Sequence, residues 1–396
     1  MLDSKKKQRN KQLNASNYIS QRALAFSKFS FYAPLNDAGA GAVNLVLARG
    51  TGSATFTRAS VATTMLSNGL IGAVATGVAR SCYSPAGIYL GYLAEGAATQ
   101  LVTPTASIRD MTDASWVAVT MTTAKTSVGW DGAANSATRL TATGAGATIL
   151  QTLVAAASSR TYSCGIRRVT GTGTIKLVQG ATKSPDLSAS LNSSTYTKVE
   201  LAASVLNAAY GIEIGTSGDA IDVDFNQFEA GAFSTSRIVT AGATRAADVL
   251  TYPTSGNALG TSGTAFAAVS DSGINYGAGG FDVLSTLNVT GGILLTVSNS
   301  GALSIYDGAT RTIGPTVALP WPIPKKIASR WSGSSSSGCI DSTLGGGSTF
   351  DGDMDFNISI AVGVRANGTT SISGTIRDGM ISMQALSDGE LQLITR

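Results

Sequence analysis

Between residues 106 and 230, short stretches that alternate apolar and polar side chains follow one another, separated by Gly, Ser, Asn and Pro turns. Alternation at every second position gives a strand one buried face and one wet face, and turn signals this closely spaced favour strands over helices. The expected strands are Trp116–Met121, Ala137–Thr143, Ile149–Val154, Thr161–Val169, Gly173–Gln179, Thr195–Ala202, Gly211–Gly215 and Ala220–Phe228. Eight such strands suggest a jelly roll. In the last, Ile221, Val223 and Phe225 alternate with Asp222, Asp224 and Asn226. Phe228 falls out of that phase, which predicts a bulge or the end of the strand.

Residues 249–396 predict a second sandwich. ILLTV, SNSG and ALSIYDG spell a hairpin, and KKIASRW another strand. SGSSSSG (332–338) and Gly345–Gly347 are expected as exposed turns, and Trp321, among Pro320, Pro322 and Pro324, as an extended segment. Ser387 and Glu390 form a capping box ahead of Leu391–Thr395, which predicts one short closing helix. Residues 31–105 hold short strands with Gly-rich turns and are expected as a small β-region of their own. The change of character after Asp248 marks 222–248 as the hinge between 106–248 and 249–396. The expected class is all-β: tandem sandwiches with an N-terminal basic arm and a short C-terminal helix.

The net charge of +4 is concentrated at one end. Residues 1–30 carry Lys5, Lys6, Lys7, Arg9, Lys11, Arg22 and Lys28 against Asp3, a local +6 that leaves −2 for the rest. A nucleic-acid partner would want a basic face on the folded body, so none is expected. With Phe26, Phe29, Phe31 and Tyr32 close behind, the segment reads as an arm that orders on a partner protein, with a solvated, poorly ordered terminus as the alternative. Its basic start is not followed by an apolar run, and no stretch approaches transmembrane length, so neither a signal peptide nor membrane insertion is expected.

Chemistry is harder to place. The chain has no histidine, which removes the usual general base and the commonest metal ligand. Cys82, Cys164 and Cys339 are far apart and show neither metal spacing nor a disulfide framework. Asp351, Asp353 and Asp355 have a D-x-D-x-D spacing that invites calcium. A strand explains the same run, since Phe350, Met354, Phe356, Ile358 and Ile360 alternate with the polar residues. Trp116 and Trp130 are candidates to stack on sugar rings, with core anchoring as the alternative. Glu95 with Arg58, and Glu229 with Arg237 or Arg245, are expected as a structural clamp of buried carboxylates and guanidinium groups. A catalytic carboxylate pair is not singled out, and no cofactor motif is present.

Three motif stretches and the C-terminal segment carry a resemblance. FEAGAFSTSRIVTAGATRAAD (228–248), preceded by Gln227, resembles the Q-x-E-x-G-x-x-x-T-S-x-I-x-T … R-x-A-D stretch of bacteriophage virion proteins with carbohydrate-binding-module-like and concanavalin-A-like lectin domains. Gln227, Glu229, Gly231, Thr235, Ser236, Ile238, Thr240, Arg245, Ala247 and Asp248 stand in place. ATFTRASVAT (54–63) and GYLAEGAATQL (91–101) resemble that family's R-A-S-x-A-T and E-G-A-x-T-N-L motifs, with Gln100 replacing the usual Asn. GTIRDGMISMQALSDGELQLITR (374–396) resembles the last strand and closing helix of the same family's lectin-like domain. The resemblance covers roughly residues 42–396 and is specific to the family, not to one function. It implies a jelly roll followed by a concanavalin-A-like (laminin-G-like) domain. It also implies a non-enzymatic virion part, a tail fibre, spike or other surface appendage, assembled in the host cytoplasm. The arm, through Lys5, Lys6, Lys7, Arg9, Lys11 and Phe26, would hold it to other virion proteins. A homotrimer and contact with host-surface polysaccharide are expected as well. A capsid decoration or head-fibre protein and a polysaccharide depolymerase stand as alternatives.

Overall fold

The computed structural model describes residues 21–258, 260–271, 281–286, 292–298, 300–319, 321, 324–354, 359–364 and 374–396. Lys5, Lys6, Lys7, Arg9, Lys11, Pro320, Pro322, Asp355, Phe356 and Ile358 lie outside the described residues.

The middle of the chain forms a jelly roll of two five-stranded sheets. One contains Val117–Val119, Ala147–Thr152, Ala209–Ile214, Ile175–Gln179 and Thr182–Lys183. The other contains Met121–Ser127, Ala137–Ala142, Ala220–Ala230, Ser159–Thr170 and Thr197–Ser204. Their inward faces meet in a core that includes Trp116, Leu140, Ile149, Tyr162, Ile212, Ile221 and Phe228. The expected strand at Trp116–Met121 is two strands in opposite sheets. Thr120, at φ +50°, makes the corner between them.

The phase change near Phe228 is a bulge. Asp224 pairs with Gly165 and Gln227 with Ser163, so the register slips across Phe225 and Asn226, and Phe225 sits at φ +52°. Before the slip Ile221 and Val223 point into the core; after it Phe228 does. Gln227 and Glu229 are thereby turned to the outer face, where they meet the rest of the protein.

The second sandwich packs an eleven-stranded sheet on a seven-stranded one. Its core joins Phe31, Tyr92, Val269, Ile327, Trp331 and Ile376 from the first to Leu250, Tyr252, Leu295, Ile305 and Val362 from the second. Residues 31–105 therefore do not form a region of their own. Phe31–Ala33 and Tyr89–Ala94 both pair with Gly374–Ser382, and Thr55–Thr57 pairs with Val249–Pro253. The chain begins the large sandwich, leaves it after Ala94 to build the jelly roll, and returns at Val249. The hairpin at ILLTV–ALSIY is present as Ile293–Val297 against Ala302–Tyr306. Ser335–Ile340, expected within an exposed turn, is a mostly buried strand, because it lies between Lys325–Ser332 and the short strands Thr343–Leu344 and Ser348–Thr349. Trp321 is buried in the core and donates from Nε1 to the Val317 carbonyl at 3.2 Å.

Both ends of the described chain cover the back of the large sheet. Residues 21–27 are helical, and Ala25 and Phe29 pack with Phe266, Met380, Leu391 and Ile394. Phe31 is fully buried and Phe26 rests against Phe29 and Phe266. These aromatics, expected to need a partner protein, are instead used by the fold itself. The closing helix spans Asp388–Ile394, with the Ser387–Glu390 capping box formed in both directions. Ser387→Ala removes the acceptor for the Glu390 amide and should cost about 1 kcal/mol in denaturant unfolding.

Candidate functional site

The three motif stretches, far apart in sequence, meet at the junction of the two sandwiches in one buried polar network. Asp248 is its centre. It is fully buried, accepts from Arg58 Nη1 at 2.9 Å and from the Glu95 amide at 3.1 Å, and also accepts from Arg80 Nη2. Arg58 spends its remaining donors on the carbonyls of Ser60, Val74, Ala75 and Val78. Arg80 reaches Glu95 Oε2 at 2.9 Å, the Thr63 carbonyl at 2.7 Å and Ser236 Oγ at 2.7 Å. Ser236 in turn donates its amide and hydroxyl to the two Glu95 oxygens. Arg245 lies 3.6 Å from Glu95 and 3.7 Å from Asp248, and donates to the Gly96 carbonyl at 2.6 Å. Three guanidinium groups thus enclose two carboxylates, each charge held by opposite charge and by backbone.

Around the charges stands a ring of amides. Gln100 donates to the carbonyls of Asn226 and Ile238 and accepts from the amides of Val102 and Phe228, which ties the crossing segment to the jelly roll. Gln227 accepts from the Ile238 amide and donates to Glu229. Glu229 takes the Thr235 amide and, at 3.0 Å each, Thr235 Oγ1 and Gln227 Nε2.

The expected partners are partly exchanged. Glu95 pairs with Arg80 and Arg245, whereas Arg58 holds Asp248. Glu229 forms no ion pair with Arg237 or Arg245; its partners are hydroxyl, amide and backbone donors. Arg237 bonds Ser163 Oγ at 2.7 Å and lies over the Trp130 ring. Sequence reasoning missed Arg80 entirely and named Asp248 as the edge of the hinge and as a motif residue, without giving it a charge partner. The available signal was an arginine inside the short strand Arg80–Tyr83, where a lone charge demands a buried partner.

Opposite environments split the two glutamates. Burial by itself would raise Glu95, but Arg245, Arg80 and the Ser236 donors overcome it and hold the carboxyl at about 2. Burial pushes Glu229 up to about 7 against the Thr235 donors, and the nearby Glu95 charge adds to the rise. Such a split is what a general acid and its partner carboxylate require. Here both side chains are sealed from solvent, at 3% and 1% exposure, and their oxygens are committed to the network. The geometry suits a lock between sandwiches.

The tryptophans are not sugar platforms. Trp116 is buried against Tyr162 and Tyr210 in the jelly-roll core and donates to the Ser107 carbonyl. Trp130 is buried on the outer face, stacked on Tyr196, where Gly165 leaves room that a Cβ would fill. Its Nε1 donates to the Gly69 carbonyl and its carbonyl accepts from the Ile71 amide, so it pins the hairpin Ala62–Met65/Ile71–Val74 to the jelly roll. On the same face Asp224 takes a two-pronged bond from Arg109, and Asp222 accepts from Arg139 and Arg167. No group of three carboxylate or cysteine ligands gathers among the described residues. Asp351 and Asp353 are exposed, joined by the Asp353 amide on Asp351 Oδ1, and 350–354 forms no strand although Phe350 and Met354 are buried. No described helix is long and apolar enough to cross a membrane.

No family model matches the chain, and no curated protein does. Solved structures do. Domain 4 of an extracellular arabinanase from Geobacillus stearothermophilus, solved with arabinotriose, is 13% identical over 38% of this chain and 73% of its own, at a TM-score of 0.32. A putative carbohydrate-binding protein from Bacteroides ovatus is 10% identical over 72% of this chain and 80% of its own, at 0.28. A Trypanosoma rangeli sialidase mutant is 19% identical over 34% of this chain, which spans only 23% of that protein, at 0.28.

Proposed function

We propose that the chain is a non-enzymatic structural protein of a bacteriophage virion, a tail fibre, spike or other surface appendage whose sandwiches touch host-surface glycans. One observation carries this. The residues behind the virion-protein resemblance, Arg58, Glu95, Gln227, Glu229, Ser236, Arg245 and Asp248, all converge on a single sealed network that fixes one sandwich against the other. Their shared role is rigidity, which an appendage under load needs and a catalytic cleft does not. The non-enzymatic part is supported by the enclosure of the two glutamates with split proton affinities. The N-terminal cations would hold the chain to other virion proteins. The exposed edge strand Val117–Val119, with Val117 and Val119 about half to two-thirds exposed, offers a face that a symmetric trimer would cover.

Gold-labelled antibodies against the chain, applied to intact particles, test the assignment. Label on the tail or baseplate is expected. Label on the head would favour the decoration or head-fibre alternative, and unlabelled particles would remove the virion role. Release of reducing ends from host polysaccharide by the purified chain would identify a depolymerase instead.

A further inference from the structure

The back of the eleven-stranded sheet, beside the helix at 21–27, holds a cavity of about 320 Å3 that the junction does not use. Its apolar wall is aromatic: Phe26 and Phe29 are inclined at 34° to one another, and Phe266 meets Phe26 edge-on. Around this wall stand Arg22, Arg49, Lys326 and Arg377 against one carboxylate, Asp378. Arg49 is occupied by the Phe26 and Phe29 carbonyls, and Lys326 by the Arg396 carbonyl oxygen. Arg22 and Arg377 have donors to spare. Arg22 lies over the Phe26 ring, and Arg377 makes one long bond to the Tyr89 carbonyl while its buried Nε has no hydrogen-bond partner among the described residues.

The backbone that presents these groups is irregular at the same place. The pairing of Gly374–Ser382 with Ser262–Asp271 slips between Arg377 and Met380, and Asp378 is held at φ +56°. A non-glycine residue at such a bulge is under strain, and strained bulges concentrate where a side chain is re-aimed for binding. Here the bulge brings Arg377 and Asp378 side by side on the cavity wall, with the Tyr32 hydroxyl on Asp378 at 2.9 Å.

We propose that this cavity binds a carboxylate-bearing sugar unit of a surface polysaccharide. It rests on the reading that the chain touches glycans. Guanidinium forks match a sugar carboxylate. Phe26, partly exposed above the buried Phe29 and Phe266, supplies apolar contact for the C–H face of a pyranose ring. Asp378 and Tyr32 accept ring hydroxyls, and the same carboxylate disfavours a doubly charged phosphate. The volume lies at the lower end of small-ligand sites, as one or two sugar units require.

Calorimetric titration of the full chain with trisaccharides containing glucuronic, galacturonic or sialic acid, with their neutral counterparts and with inorganic phosphate, tests this. At least one acidic trisaccharide should bind, at least tenfold more tightly than its neutral counterpart and than phosphate. Arg22→Gln and Arg377→Gln should each weaken it about tenfold. Arg22 makes no described hydrogen bond to the fold, so Arg22→Gln keeps the wild-type melting temperature and reports on binding alone. Equal binding of the neutral sugar, equal binding of phosphate, an unchanged affinity in both variants, or no binding by the folded chain would each overturn the proposal. Labelled particles with no sugar bound would sink the cavity and leave the virion role standing; sugar binding with unlabelled particles would do the reverse.

Discussion

Asp248→Ala lowers the stability of the protein by about 3–5 kcal/mol, the usual consequence of leaving buried charges without their counter-ion. The carboxylate is fully buried and serves Arg58, Arg80 and Arg245 together. Without it three guanidinium groups face one remaining carboxylate, Glu95, in a region that water does not reach. Asp248→Asn keeps an acceptor and loses less. The change should also uncouple the two halves. The jelly roll has its own core, separate from that of the large sandwich, and Asp248 stands where the chain passes between them. Scanning calorimetry should turn one transition into two, with the large sandwich, whose strands Thr55–Thr57 and Tyr89–Ala94 flank the network in sequence, melting first. A single transition at the wild-type temperature would mean that the network is not what joins them.

The jelly roll was legible because its information is local. Each strand announces itself by period two and each turn by its residues, and the slip at Phe228 was visible as a broken phase. The capping box was legible for the same reason. Of the large sandwich, the hairpin Ile293–Val297/Ala302–Tyr306 and the strand Lys325–Ser332 were legible, and the contribution of residues 31–94 was not, because its pairings span the chain. Phe31 meets Ile381 and Tyr92 meets Ile376, and nothing near either residue marks such a partner. Ser335–Ile340 failed in another way. Serine and glycine have little strand preference, and burial between neighbouring strands overrides it. At the junction the participants Glu229, Arg245, Arg58 and Glu95 could be named from the need to pair buried charge. Which guanidinium met which carboxylate could not, since that depends on the return of the chain at Val249. The tryptophans were open to two readings until burial decided them.

The second large effect is a dependence on pH that runs against the usual direction. An unfolded glutamate holds its proton only below about 4.5, whereas Glu229 in the fold holds it up to about 7. Between those values the folded chain binds a proton that the unfolded chain has released. Its stabilising share is therefore complete below about pH 4.5 and is lost as pH rises to about 7. At about 1.4 kcal/mol per unit this amounts to about 3 kcal/mol. Asp224, raised by burial, contributes with the same sign. Glu95 opposes them at the acid end: its carboxyl is lowered to about 2, so its share is present above about pH 4.5 and disappears as pH falls toward 2. Together these three groups contribute most to stability near pH 4.5–5. Glu229→Gln isolates one contribution. The neutral amide can still accept from the Thr235 amide, so the variant should match the wild type near pH 4.5 and exceed it by up to about 3 kcal/mol at pH 8. Denaturant unfolding of both proteins at pH 4.5, 6 and 8 measures the difference. Parallel curves for the two proteins would place the Glu229 carboxylate in contact with water, and the sealed junction would have to be abandoned.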